Sequence, residues 1–191
     1  MTIFCYGDSL TEGYGAAPRQ GWVSLLSQKF PDDDWYNQGR CGEGFTDILS
    51  RMALHLARPE KEILLFLMGG TNDILSGRRL SAMEEELSQA LSSFETAGAS
   101  LILGIPPLTT KESILSGWQS DWQYDGTNET LRLWKKTIEE EGRACHFPVI
   151  DFQTPLLGQD ALYTDGVHPN EKGYALFAKT ALPVFQKALH P

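Results

Sequence analysis

Hydrophobic and polar positions alternate in blocks along this chain, and the blocks predict strands and helices in turn. Thr2–Tyr6 is a short apolar run that predicts a first buried strand, closed by Gly7. Trp22, Leu25, Leu26 and Phe30 then recur at helical spacing up to Pro31, and Trp35-Tyr36-Asn37 predicts a second strand. From Phe45 to Ala57 the apolar residues Phe45, Ile48, Leu49, Met52, Ala53 and Leu56 form the i, i+3, i+4 stripe of an amphipathic helix. Ile63–Met68 is apolar at every position, as a central strand covered on both faces requires.

Ser81 to Ala97 predicts a further helix, with Ser81 as its N-cap, Glu84 three residues on, and Gly98 as its stop. Leu101–Ile105 is the next strand, ended by Pro106-Pro107. A long loop is expected to about Gly126, carrying Ile114, Leu115, Trp118, Trp122 and Tyr124. A helix over Thr127–Cys145, a strand at Val149–Asp151 and a closing helix over Glu171–Leu189 complete the series. Five strands separated by helices predict a single α/β domain over residues 1–191, with a parallel sheet between helical layers. In open sheets of this kind ligands sit beyond the carboxyl ends of the strands, so chemistry is sought there.

Composition narrows the partners. The 191 residues carry 16 Lys and Arg against 25 Asp and Glu, a formal net charge of −9, and no basic cluster that would attract a phosphate backbone. Nucleic acid is therefore not an expected partner. No apolar run approaches the ~20 residues of a membrane span. The chain runs from Met1 into its first strand without a basic, then apolar, leader, so a cytoplasmic setting is expected. Its three cysteines form no disulfide framework or zinc ribbon, and His55 and His146 lack partners at metal-ligand spacing. No metal and no cofactor is expected.

Four blocks stand where the chemistry should be: Gly7-Asp8-Ser9-Leu10, Gly39-Arg40-Cys41-Gly42, Gly70-Thr71-Asn72-Asp73 and Asp165-Gly166-Val167-His168-Pro169. Each alone is ordinary turn chemistry. Together they hold the parts of acyl transfer: a hydroxyl in Ser9, an imidazole in His168, a carboxylate in Asp165 three residues earlier, and oxyanion donors in Gly42 and Asn72. In this order, over positions 7 to 169, the blocks resemble those of the SGNH hydrolases, also called GDSL esterases/lipases. The resemblance implies a flavodoxin-like three-layer α/β/α sandwich with a five-stranded parallel sheet. It also implies that Ser9 is the nucleophile, with His168 as base and Asp165 as third triad member. The Ser9 backbone N–H, Gly42 and Asn72 are then the oxyanion donors. Gly39 and Gly44 flank Gly42 and are alternatives to it, and Asp8 and Asp73 are read as loop-organising residues.

The function expected is a serine esterase acting on small-molecule esters, short-chain or acetyl, with Trp118 and Trp122 as candidate substrate contacts. A thioesterase or lysophospholipase would use the same residues. The G-x-S-x-G elbow and the Walker A motif are absent. A signalling receiver would share the fold and explain Asp8 and Asp73, but Phe152-Gln153-Thr154 lacks the Lys it needs after the fifth strand. A binding module without catalysis would leave every catalytic position filled for no purpose.

Overall fold

The computed structural model describes residues 1–56 and 62–190. Five parallel strands, β1 (Thr2–Gly7), β2 (Asp34–Gly39), β3 (Ile63–Met68), β4 (Ser100–Ile105) and β5 (Val149–Asp151), form one sheet in the order β2-β1-β3-β4-β5. Its register pairs Cys5 with Asn37 on one side and with Phe66 on the other. The order reverses direction between β1 and β3. That crevice is the topological switch point, where the strand ends on either side leave room for a ligand.

Alternation along the strands explains why the central ones are apolar throughout. Leu64, Phe66 and Met68 of β3 join Ile3, Cys5 and Ile102 in one core, packed against α2 (Trp22–Ser27) and α9 (Glu171–Leu189) through Trp22, Leu26, Phe177 and Phe185. Leu65 and Leu67 point the other way. They join Tyr6, Leu101 and Leu103 beneath α3 (Phe45–Met52), α5 (Leu80–Thr96) and α7 (Asp121–Ala144), which supply Ile48, Leu87, Leu91 and Trp134. The three-layer sandwich implied by the resemblance is the fold observed. Among the described residues no helix is long and apolar enough to cross a membrane.

The remaining helices are single turns at the strand ends: α1 (Ser9–Glu12), α4 (Thr71–Leu75), α6 (Glu112–Leu115) and α8 (Gln153–Leu156). They are too short to carry a periodic signal, and sequence periodicity does not predict them. Three boundaries also differ from expectation. Ser81 is not an N-cap: α5 begins at Leu80, after an extended Arg79 whose side chain makes no capping bond. Of the helix expected over Phe45 to Ala57, α3 ends at Met52 and a 3₁₀ turn covers Ala53–His55, while Ala57 lies outside the described residues.

The loop expected up to Gly126 is shorter. α7 starts at Asp121, because Ser120 N–H donates to the Gln123 side chain at 3.1 Å and Ser120 Oγ donates to it at 2.6 Å, the Ser-x-x-Gln arrangement of a helix start. Trp122 and Tyr124 are thus helical residues. Gly126 interrupts the pattern but not the helix, since Leu131, Trp134 and Ile138 bury the same face further on.

Glycine at position 7 is required for close approach. A Cβ there would lie 2.1 Å from Thr11 Oγ1 and 2.5 Å from the Met68 carbonyl oxygen, so any side chain would push α1 off the end of the sheet. Gly7→Ala is therefore expected to lower unfolding free energy by about 1–3 kcal/mol or more, the range of forced overpacking. Gly126→Ala, where a Cβ would meet nothing, is expected to raise it by about 0.5–1 kcal/mol. Urea titration of both variants checks the pair. Equal and small effects would contradict this account of β1 and α1.

Candidate active site

Ser9 stands at the first position of α1, directly after β1 at the switch point. Asp8 caps that turn: its Oδ1 accepts the Leu10 N–H at 2.9 Å, which fixes the direction in which Ser9 leaves the strand. Trp22 Nε1 donates to the Leu10 carbonyl at 3.1 Å and ties the turn down from the α2 side. Ser9 is almost fully buried, and its Oγ lies 2.9 Å from His168 Nε2. The two residues are 159 positions apart in the chain.

His168 comes from the loop before α9. That loop is closed by the Thr164 N–H to the His168 carbonyl at 2.8 Å and by the bridge between Tyr163 and Pro169. Inside it, Asp165 Oδ1 accepts the backbone N–H groups of Val167 at 3.0 Å and His168 at 2.8 Å. Its Oδ2 lies 2.8 Å from His168 Nδ1. A carboxylate only accepts, so Nδ1 carries the proton and Nε2 is left to accept from the Ser9 hydroxyl. Burial pushes the Asp165 carboxyl up, but the His168 backbone and ring hydrogen bonds and the Val167 N–H outweigh it and hold it below the ordinary carboxylate range.

The loops after β2 and β3 meet beside Ser9's strand. Asn72, in α4, donates one amide N–H to the Glu43 carbonyl at 3.0 Å, which fixes the orientation of its side chain. The Glu43 carboxylate is ion-paired with Arg51 of α3. Asp73 accepts the Phe45 N–H at 2.8 Å and pairs with Arg78 at 2.9 Å, so it organises these loops, as does Asp8 in its own turn.

Of the three glycines here, Gly39 donates its N–H to the Asn37 side chain, and Gly44 is the N-cap of α3. Gly42 has φ +74° and open space where a side chain would stand. Among the described residues the backbone N–H groups of Ser9 and Gly42 and the second amide hydrogen of Asn72 donate to no protein group. Ser9, Gly42 and Asn72 thus leave one donor each on the loops that follow β1, β2 and β3, and among the described residues the Gly44 N–H is likewise without a protein partner.

The two tryptophans part company. Trp118 donates its indole N–H to Asp165 Oδ2 at 2.8 Å, and its ring stands edge-on to His168 with centroids 5.0 Å apart. Trp122 is 83% exposed, and among the described residues no hydrogen bond or ring contact reaches it. Sequence reading missed Tyr14, whose ring centroid lies 4.6 Å from that of His168. Its signal was an aromatic between Gly13 and Gly15 just after the Ser9 turn. His55, excluded as a metal ligand by spacing, has its Nε2 2.8 Å from the Tyr6 hydroxyl.

Burial drives the Asp8 carboxyl up to about 7, helped by the negative charge of Asp73 and opposed by the Leu10 N–H. The folded state therefore holds this proton more tightly than an unfolded chain, where an Asp titrates near 3.9. Its contribution to stability falls as pH rises from about 4 to about 7 and is level above that. Asp8→Asn keeps an acceptor for Leu10 but has no proton to lose. Its Tm relative to wild type is expected to rise between about pH 5 and about pH 8, and a constant difference would contradict the burial of this charge.

The sequence profile of the GDSL-like Lipase/Acylhydrolase family matches residues 5–176. Esterase TesA of Pseudomonas aeruginosa is 29% identical over 114 residues, and the chain spans about half of that curated relative's length, 56% of each. Among solved structures, a member of the lipolytic protein G-D-S-L family from Veillonella parvula is 28% identical, with a TM-score of 0.83 over 98% of this chain and 99% of that one. The psychrotrophic esterase EstA from Pseudoalteromonas sp. is 22% identical and shares the fold, with a TM-score of 0.73 over 100% of this chain and 99% of that one. The four blocks that surround the Ser9–His168–Asp165 arrangement fall within the matched span, and the chain belongs to the GDSL-like lipase/acylhydrolase family.

Proposed function

We propose that this protein is a serine esterase, a single hydrolase domain that cleaves small esters through an acyl-Ser9 intermediate. The observation that carries the reading is the unbroken hydrogen-bond line from Ser9 Oγ to His168 Nε2 at 2.9 Å and from His168 Nδ1 to Asp165 Oδ2 at 2.8 Å. In the first step Ser9 Oγ bonds to the ester carbonyl carbon while its proton passes to His168 Nε2. The carbonyl oxygen takes up negative charge and is met by the Ser9 and Gly42 N–H groups and the Asn72 amide. The tetrahedral adduct then expels the alcohol, which leaves with the proton from Nε2. Water repeats the sequence on the acyl-enzyme: its proton goes to Nε2, its oxygen bonds to the acyl carbon, and Ser9 recovers its proton as the acid departs.

The acyl group expected is short, acetyl to butyryl. What supports this is that Ser9 is nearly buried and that the Tyr14 and Trp118 rings stand 4.6 and 5.0 Å from the imidazole, where bulky acyl groups would meet them. Leu115 and Trp122, 80% and 83% exposed on the stretch around Trp118, favour a second reading in which a longer acyl chain of a thioester or lysophospholipid lies along them. A series of p-nitrophenyl esters separates the two. The first reading expects kcat/KM to be greater on acetate and butyrate than on long-chain esters.

Ser9→Ala should abolish labelling by a fluorophosphonate probe while leaving the circular dichroism spectrum unchanged, and labelling that survives the substitution would overturn the assignment. Asn72→Ala should lower kcat by about 10²–10³, or roughly 2.7–4 kcal/mol, with KM spared, because the charge its amide meets exists only in the transition state. A folded Asn72→Ala enzyme with kcat near wild type would leave Asn72 as a turn residue held by Glu43.

A further inference from the structure

An indole N–H on a half-exposed side chain ordinarily faces water. The Trp118 ring is 41% exposed, yet its N–H is turned inward onto Asp165 Oδ2, the same oxygen that receives His168 Nδ1. The loop that carries it is built to hold that pose. The Trp118 backbone N–H donates to the Ser113 carbonyl at 2.9 Å, and Gln119 Nε2 donates to Thr109 Oγ1 at 2.8 Å and to Ser113 Oγ at 2.7 Å. The loop is also bolted to the Asp165 loop, through the Thr110 N–H to the Gly166 carbonyl at 2.8 Å and the Tyr163 hydroxyl to the Leu108 carbonyl at 2.8 Å. Gly166, at φ +82°, lies so close that a Cβ would stand 2.1 Å from Ser113 N.

We propose that Trp118 is a positioning residue of the reaction: its indole N–H fixes Asp165 and divides the negative charge of Oδ2 between itself and the His168 ring. The proposal rests on the reading of Ser9, His168 and Asp165 given above. Among the described residues no Lys or Arg pairs with Asp165, and the titratable groups that face it are the His168 ring and, further off, the Tyr174 hydroxyl. Tyr14 presents a ring, and Ser9 a hydroxyl. A neutral donor therefore has unusual leverage here. It steadies the carboxylate without adding a positive charge that would oppose the imidazolium formed when Ser9 gives up its proton. With the indole removed, all the charge of Oδ2 acts on Nδ1–H, which favours the protonated ring in the resting enzyme. The carboxylate also loses one of its four struts.

The test compares wild type with Trp118→Phe, which keeps a ring and lacks the N–H, and Trp118→Gln, which keeps an amide N–H donor and lacks the ring. For Trp118→Phe we expect kcat to fall about tenfold, as loss of a hydrogen bond to a charged group can cost. KM should stay within about twofold, and the acid limb of the kcat/KM profile should move up by about half a pH unit. Trp118→Gln should return the limb to its wild-type position and restore most of kcat.

A limb that stays in place in Trp118→Phe overturns the proposal, as does a common rise in KM in both variants, which would mark the ring as packing or substrate contact. If Trp118→Phe fails to fold, Trp118→Leu replaces it in the comparison with Trp118→Gln. Fluorophosphonate labelling runs in parallel. Label on Ser9 with an unmoved limb refutes the role of Trp118 alone, whereas label absent from Ser9 in the wild type refutes the nucleophile assignment beneath it.

Discussion

An imidazole can take a proton from a serine only if one ring nitrogen is kept protonated and the other is aimed at the hydroxyl. In this chain that condition rests on one carboxylate. Asp165 receives four N–H donors, two backbone groups on Oδ1 and the His168 and Trp118 rings on Oδ2. The first two fold the loop around the carboxylate, the third sets the imidazole's tautomer and direction, and the fourth joins the loop that follows β4. The His168 and Val167 donors outweigh the cost of burial and hold the Asp165 carboxyl below the ordinary carboxylate range.

The sheet delivers the other half of the site. Ser9 follows β1 and Asn72 follows β3, strands that are neighbours in space and far apart in sequence. Gly42 follows β2, on the other side of β1. Each arrives on a single turn of helix or a tight loop: the Asp8 side chain caps α1, and Gly44 and Gly70 stand at the N-cap positions of α3 and α4. The strands are held by two apolar cores, so the positions of these turns are set by burial over the whole domain. Ser9 Oγ and His168 Nε2 are left to bond with each other.

Periodicity made the sheet legible from sequence. The runs at Ile63–Met68 and Leu101–Ile105 are strands because both their faces are covered, and their apolar continuity says so without any alignment. Ser9, Asp165 and His168 could be read as one group because four blocks, each ordinary turn chemistry alone, fall in order at strand ends and loops, and the fold brings these three side chains together. What escaped was whatever rests on a single side-chain exchange, whether with a near neighbour or across the fold. The helix start at Asp121 depends on one side-chain pair, Ser120 with Gln123, and the glycine at 126 obscures it. The false cap at Ser81 has the right residue type two positions past the N-cap, Arg79, after the helix has already begun at Leu80. Trp118 was visible as an aromatic, but its donation to Asp165 spans 47 residues and has no trace in spacing. Tyr14 was likewise hidden, since its ring meets His168 only once the chain ends are brought together.

The central claim is that the bond made to the substrate is made by Ser9 Oγ. Rapid quenching of the enzyme with p-nitrophenyl acetate, followed by peptide mass spectrometry, tests it most directly. An acetyl group carried by the peptide that contains Ser9, and located on that residue by fragmentation, is the result predicted. Acetyl on any other side chain during turnover, with the Ser9 peptide unmodified, would contradict it.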